Sequence, residues 1–511
     1  MNDWSHGYDV SAGYTYGFRR EMAPDWLDLS AMLAGQAPGR AASGAPFRYL
    51  ELGCGQGMGL CLLAAANPHG EFFGVDFLPD HIAHARAVAA AAGLTNVHFS
   101  DGDFMVLADD WPRDFGQFDY VTLHGVYSWI TPSIRAALIR CLAHATAPGG
   151  LVYIGYNAQP GWIGTMPFRH ISRLMKESGD RPGDAVMGDS IALFDRLAAG
   201  GASTFQMLPG LKARLASVKQ QPVNYLIHEY LHEGWHPLWH SEVAKEVASA
   251  GLGFVGTAAL AETLLPGALP PPLRAAIADQ DAPTLRVDVQ DFVINQAFRR
   301  DIFRPLPSAP AADGQIDDAL LHLLETPQAA TLDVKTSFGE ITLQRPAFAQ
   351  LVNALADGPR TIAALTAQPD MRAQGKANAI QILALLLHAR ILGTGPAMPS
   401  TPQAAERLNR IIARGVAEGL PYDHLAAAAL GSAVAARDID LLLLDSWFEA
   451  PTADAAALAQ AVAARLAQLD RPVTDNGQTL TGDAAHTRLA ALSATFLEQG
   501  LPRWRQLGVL A

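Results

Sequence analysis

The chain has 511 residues, half of them hydrophobic and 17% charged, with a formal net charge of −13; this describes about two to four globular domains and excludes a disordered chain, and it argues against a general nucleic-acid or anionic-membrane binder. Cys54, Cys61 and Cys141 form no C-x-x-C pair, and no basic-apolar leader, lipidation signal or apolar run of membrane-span length occurs. A reduced, cytoplasmic setting without membrane insertion is the expectation.

In chain order, residues 8 to 35 carry Tyr8, Tyr14, Tyr16 and Phe18 beside Arg19 and Arg20, ahead of a helix that ends near Gly35. This stretch reads either as an aromatic cover packed on a sheet or as a lid whose ring faces attract a cation. Phe47, Tyr49 and Leu50 then lead into Glu51-Leu-Gly-Cys-Gly-Gln-Gly-Met-Gly59 and the helix-prone Leu60 to Ala66. A short buried strand, alternating glycines and a helix bring backbone against a nucleotide-like ligand, and the helix start adds free N–H donors. The dinucleotide spacing G-x-G-x-x-G fails in each register, where Met58, Leu60 or Leu62 replaces the third glycine, and no phosphate-binding G-x-x-x-x-G-K-[ST] is present. Glu51, at the strand end, would repel a pyrophosphate but attract an ammonium or sulfonium.

Glu71 to Asp76 predicts a second strand ending in an acid placed to accept ribose hydroxyls. Asn96 to Phe99 predicts a third, followed by Ser100-Asp-Gly-Asp103. Phe118 to His124 and Gly150 to Tyr156 predict strands four and five around a helix from Pro132 to Ala145. Five strands alternating with helices imply a parallel, doubly wound α/β sheet with its ligand at the carboxyl ends of the strands.

The acid followed by x-G-x-G-x-G resembles motif I of class I S-adenosylmethionine-dependent methyltransferases. His124-Gly-Val-Tyr-Ser-Trp-Ile130, Tyr156-Asn-Ala-Gln-Pro-Gly-Trp162 and the N-terminal Gly13-Tyr-Thr15 narrow the resemblance to bacterial class I methyltransferases with a regulatory domain. Members of known activity in that family include lysine methyltransferases acting on bacterial outer-membrane proteins. The resemblance implies a Rossmann-like sheet that holds S-adenosylmethionine through Tyr14, Tyr16, Glu51, Gly53, Cys54, Gly55, Gln56, Gly57, Asp76, Phe77, Asp103, Phe104 and His124, with the ribose on Asp76 and the adenine amino group near Asp103. His124 and Tyr127 are the candidate polar groups near the methyl, and Tyr156 and Asn157 candidates to orient the acceptor; for each, a buried hydrogen bond that shapes the loop is the competing role. An [Asn/Asp]-Pro-Pro-aromatic loop after strand four, typical of enzymes that methylate planar amines or amides, is missing. Its absence argues against nucleobase and glutamine acceptors. The resemblance itself implies a protein lysine as acceptor, in a cell-envelope protein; the alternatives are a small metabolite, a surface glycan, or a cofactor-binding regulatory protein without catalysis. A homodimer is compatible with this reading.

Residues 163 to 235 predict a helical insertion: Pro167 to Glu177, Ser190 to Ala199, Met207 to Val218 and Val223 to Glu233. Inside it, His228-Glu-Tyr-Leu-His232 matches H-E-x-x-H, but Trp235 and Leu238 stand where an extended zinc motif would need further ligands, so no metal is assigned. A helix from Ser241 to Ala250, a sixth strand from Gly251 to Gly256, and a helix and last strand within Asp291 to Arg304 close the domain. The predicted domains are an aromatic segment 1–35, a methyltransferase domain 36–305, a winged-helix-like regulatory domain 311–400 and a helical domain 401–511. In the third, Thr331 to Val334 pairs with Gly339 to Leu343, followed by helices Pro346 to Ala356, Ile362 to Ala367 and Asn378 to Ile391. Its candidate recognition segment has only Arg372, Lys376 and Arg390 among alanines and leucines, which suits a protein contact or regulation better than DNA.

Overall fold

The structure is a computed structural model that describes residues 16–40, 42–232, 234–265, 267–327, 331–475 and 477–511, apart from the side chains of Asn224 and His228. Its centre is a seven-stranded sheet: β1 (Phe47–Leu52), β2 (Gly70–Asp76), β3 (Val97–Asp101), β4 (Phe118–His124), β5 (Thr146–Asn157), β6 (Leu252–Thr257) and β7 (Phe298–Pro305), in the order β3-β2-β1-β4-β5-β7-β6. The first five strands are parallel, as their alternation with helices requires. The sheet is nevertheless mixed: β7 lies between β5 and β6 and runs antiparallel to both.

Helices α1 (Pro24–Leu33), α2 (Met58–Ala66), α3 (Pro79–Ala91), α4 (Phe104–Asp109) and α5 (Pro132–Ala145) precede or alternate with the first strands. All of α2 except Gly59 is buried. A helix that is apolar all round needs protein on both sides, and it has it: the sheet beneath, and above it the C-terminal helix Gln403–Ala417 and the hairpin His424–Ala427/Ser432–Ala435. One continuous apolar cluster joins this sheet face, α1 and the C-terminal region. Polar ties reinforce it: Asn67 Nδ2 donates to the Gly431 carbonyl at 2.8 Å, and His84 Nε2 lies 3.2 Å from Tyr422 Oη. A second cluster fills the opposite face between β4, β5, α5 and the helix His240–Ala248.

The insertion after β5 forms helices Met166–Glu177, Gly183–Ala199, Ser203–Met207, Pro209–Val218 and Val223–Leu231 around Phe168, Phe194 and Tyr230. The C-terminal region contains the expected hairpin, Thr331–Thr336 with Gly339–Gln344, and helices Arg345–Ala356, Ile362–Thr366 and Lys376–His388. The last of these stops short of Ile391. Arg390 takes φ 61° and donates its N–H to the Leu387 carbonyl, while Ile391 donates to Leu386; this is a Schellman stop. The chain then enters a strand, Leu392–Gly395, that pairs with Leu320–Leu323. No helix among the described residues is long and apolar enough to cross a membrane.

Candidate active site

The carboxyl ends of β1, β2 and β4 converge on the glycine loop. Gly53, Gly55 and Gly57 all have positive φ, at 79°, 54° and 72°, a region that L side chains avoid. Space is equally limiting: a Cβ on Gly53 would stand 2.4 Å from Val126 Cγ2, and one on Gly57 2.3 Å from Ala85 Cβ. The loop is tied to β2 by the Gly55 N–H, which donates to Asp76 Oδ2 at 2.8 Å; Asp76 Oδ1 accepts from the Leu78 N–H at 3.0 Å and lies 3.3 Å from His81 Nδ1.

Two cavities flank this loop and share Gly53. The first is lined by Tyr16, Arg19, Glu51, Cys54, Gln56, Gly57 and His124, among others. The second is lined by Gly55, Asp76, Phe77, His81, Phe104 and Trp129 with their neighbours. Glu51 accepts no hydrogen bond and forms no ion pair among the described residues. Burial, with the Asp76 carboxylate nearby, pushes its carboxyl up to about 8. Asp103 does not line either cavity; it caps α4, accepting from the Met105 N–H at 2.8 Å. Tyr14 lies outside the described residues.

At the end of β4, His124 lies between Arg19, Tyr153 and Phe298. Arg19 Nε donates to its Nε2 at 3.2 Å, and its Nδ1 lies 2.9 Å from Tyr153 Oη. Because Nε2 accepts, the neutral tautomer carries its proton on Nδ1 and donates it to Tyr153. Burial, with Arg19 and Arg300 nearby, holds the imidazole well below its ordinary value. Gly155, its register partner on β5, makes the room: a Cβ there would sit 2.6 Å from His124 Nδ1. His124 and Arg19 also line a third cavity of about 520 Å³, between the sheet and the C-terminal region.

The other three residues expected near the acceptor do not line these cavities. Tyr127 is fully buried and donates to Glu246 Oε2 at 2.5 Å. Tyr156, also buried, donates to Asp301 Oδ2 at 2.7 Å, within a network in which Asp301 meets His240 at 2.9 Å and Arg299 at 2.8 Å. Asn157 lies beneath its own backbone ties to Ser128 and Leu238. Strand alternation explains Tyr156, whose side chain falls on the face filled by the second apolar cluster; Tyr127 lies in the turn after β4 and packs into the same cluster. Sequence reading noted Arg19 in the N-terminal segment without assigning it to the site, and passed over Tyr153 and Arg300, which come from the middle of β5 and from β7. Only the Gly155 opposite His124 signals that a large side chain is seated there. In the H-E-x-x-H stretch, His232 packs edge-on against Trp129 with ring centroids 5.6 Å apart, and no cluster with metal-ligand geometry occurs among the described residues.

Residues 50–152 match the family model described as a methyltransferase domain, and residues 222–304 the one described as a predicted methyltransferase regulatory domain. Over 450 residues, 86% of this chain and 87% of the relative, the sequence is 32% identical to the uncharacterized protein sll1526 of Synechocystis sp.. The chain belongs to the class I S-adenosylmethionine-dependent methyltransferases that carry this regulatory domain. It is also 26% identical over 252 residues to the uncharacterized protein RP789 of Rickettsia prowazekii, 49% of this chain and 45% of that one. PKMT2 from Rickettsia typhi, solved in complex with AdoHcy, shares the fold over 97% of this chain and 100% of its own, with a TM-score of 0.73 at 18% identity. The match to the regulatory domain spans β6 and β7 of the methyltransferase, so this domain completes the central sheet; the expectation from sequence attached that name to 311–400. The methyltransferase's cofactor is S-adenosylmethionine.

Proposed function

We propose that this methyltransferase transfers a methyl group to a lysine amine of a protein, with the cofactor along the glycine loop and the acceptor in the third cavity. The observation that carries the reading is that Phe18, Arg19 and His124 line both the first cavity and the third, so donor and acceptor spaces meet at these three residues. The resemblance of the His124–Ile130 and Tyr156–Trp162 strings to lysine methyltransferases supports the acceptor, as does the full-length likeness in fold to PKMT2.

The residues suit the cofactor's chemistry. Glu51, held largely protonated by burial and without an internal partner, is placed to ionise against the cofactor's ammonium. Asp76 keeps lone pairs for ribose hydroxyls beside its backbone bonds, while Phe77 and Phe104 offer faces to the base. When bound, S-adenosylmethionine supplies an electrophilic methyl on a cationic sulfur. His124 stays neutral and offers Nε2 as a hydrogen-bond acceptor to the incoming amine once Arg19 releases it. The amine itself, with an ordinary pKa of about 10.4, reaches its neutral form because burial and the surrounding guanidiniums disfavour the ammonium. Positioning and desolvation supply the catalysis.

The test supplies isotopically labelled S-adenosylmethionine and purified protein to cell-envelope extracts and hydrolyses the labelled products. Label in methyl-lysine is expected; label solely in small molecules or in base-labile methyl esters overturns the acceptor.

A further inference from the structure

The third cavity carries a charge opposite to that of the protein around it. The chain's net charge is −13, yet the wall holds the five guanidiniums of Arg19, Arg20, Arg300, Arg390 and Arg503 against two carboxylates, Glu21 and Glu325. Some of these cations have internal work. Arg19 bonds His124; Arg20 donates to the Leu387 and His388 carbonyls at 2.7 and 2.8 Å and stacks on Trp26. Glu21 lies 3.8 Å from Arg20 and 4.0 Å from Arg300 and so is shared between them.

The remainder are poorly matched. Arg503 Nη2 and Arg300 Nε are buried without a hydrogen-bond partner. Arg390 makes no side-chain hydrogen bond or ion pair among the described residues, and it occupies the left-handed C′ position of a Schellman stop, where glycine is the favoured residue. Buried, unpartnered guanidinium N–H groups are unfavourable by themselves, and their planar fork matches a carboxylate.

Resting on the lysine reading above, we propose that the acceptor is a lysine flanked by acidic residues, whose carboxylates pair with Arg300, Arg390 and Arg503. The same cations serve both halves of the segment. They hold the flanking acids, and they disfavour the ammonium form of the lysine that reaches His124. A lysine with basic neighbours would meet like charge at every approach.

The experiment uses the full chain with saturating S-adenosylmethionine and three fluorescent single-lysine peptides flanked by Glu, by Gln or by Arg, together with a lysine-free Glu peptide and a short oligonucleotide. Anisotropy reads binding, and mass spectrometry reads methylation. The Glu-flanked peptide is expected to bind and turn over about tenfold better than the Gln-flanked one at low salt, with the gap closing in 0.5 M salt (about a 4 Å screening length). In Arg390→Gln/Arg503→Gln the ratio falls toward one, while calorimetry with S-adenosylmethionine verifies that the cofactor site is folded. Equal binding of the three peptides, an acidic preference that survives both substitutions, or tighter binding of the oligonucleotide overturns the proposal. Arginine-dependent binding of the lysine-free Glu peptide, without methylation of any lysine, upholds the acidic site and overturns the lysine reading alone.

Discussion

Arg19 Nε donates to His124 Nε2 at 3.2 Å, across 105 residues of sequence. That bond fixes the imidazole tautomer, and the guanidinium charge adds to burial in keeping the ring neutral. An ordinary histidine would protonate near pH 6.5 and withdraw its acceptor atom; this one titrates far lower. The rate profile of the enzyme is therefore expected to show no inflection near pH 6.5 that His124→Gln removes. His124→Ala should lower kcat by about 10²-fold while calorimetry finds S-adenosylmethionine binding nearly intact. A limb at pH 6.5 that vanishes in the variant would make His124 a titrating base rather than a neutral acceptor.

Glu51 couples cofactor binding to protons. Its carboxyl is pushed up to about 8 by burial and by Asp76, so the free protein carries a proton there at pH 7; a bound ammonium would return it to the ionised form. Binding should release up to about one proton near pH 6.5 and almost none above pH 9. Affinity should rise with pH up to about 8, the value in the free protein, and level off above it. The sign for folding is opposite: relative to low pH, the raised carboxyl lowers the stability of the free protein as pH climbs from the unfolded value, 4.5, toward about 8. Calorimetry in buffers of different ionisation enthalpy measures the proton count, and Glu51→Gln should abolish it.

Asp76 has two duties that substitution can separate. It anchors the Gly55 and Leu78 N–H groups and is proposed to accept the ribose hydroxyls. Asp76→Ala removes charge-assisted bonds of about 1.5–3 kcal/mol, so cofactor affinity should fall by about 10- to 100-fold and the melting temperature should drop. Asp76→Asn keeps one acceptor oxygen and should lie between. An Ala variant with unchanged affinity would remove Asp76 from the cofactor site.

Tyr156 tests the boundary between structure and chemistry. Its hydroxyl donates to Asp301, which burial would raise but which Arg299 and His240 hold below the ordinary carboxylate range. Tyr156→Phe leaves Asp301 short of one donor in a buried network and should cost about 1–3 kcal/mol of stability, visible in chemical denaturation, with S-adenosylmethionine affinity unchanged. Lost turnover at unchanged stability would instead give Tyr156 the acceptor-orienting role expected from sequence.

The alternation of the first five strands with helices and their parallel sense were legible because local signals agree. Alternating glycines, an acid at two strand ends and helices between them all demand the same topology. The position of Glu51, Gly53, Asp76 and His124 at strand ends was readable for the same reason, since each sits where a strand meets its loop. The burial of the Tyr127 and Tyr156 side chains was not legible, because a motif string specifies neighbours in sequence but not how each side chain packs. Arg300 and Arg503 carry no local signature; only the packing of β7 and the C-terminal helices against the sheet brings them together. The antiparallel β7 and the strand after Arg390 are likewise decided by pairing across long sequence separations.

Arg390 yields the sharpest contrast between stability and function. Left-handed backbone costs an L residue about 1–2 kcal/mol relative to glycine, and this residue adopts φ 61° at the C′ position after the helix Lys376–His388. Arg390→Gly removes that strain and keeps the Schellman hydrogen bonds of the Arg390 and Ile391 N–H groups. It also relieves the repulsion that Arg390 exerts on Arg20. The variant should therefore gain about 1 kcal/mol in chemical denaturation, while the preference for the Glu-flanked peptide diminishes. Arg390→Ala keeps the strained backbone and removes the guanidinium, so it should lose the preference without the gain in stability. A glycine variant that is no more stable, or that retains the full acidic preference, would show that the backbone strain here does not serve the cavity.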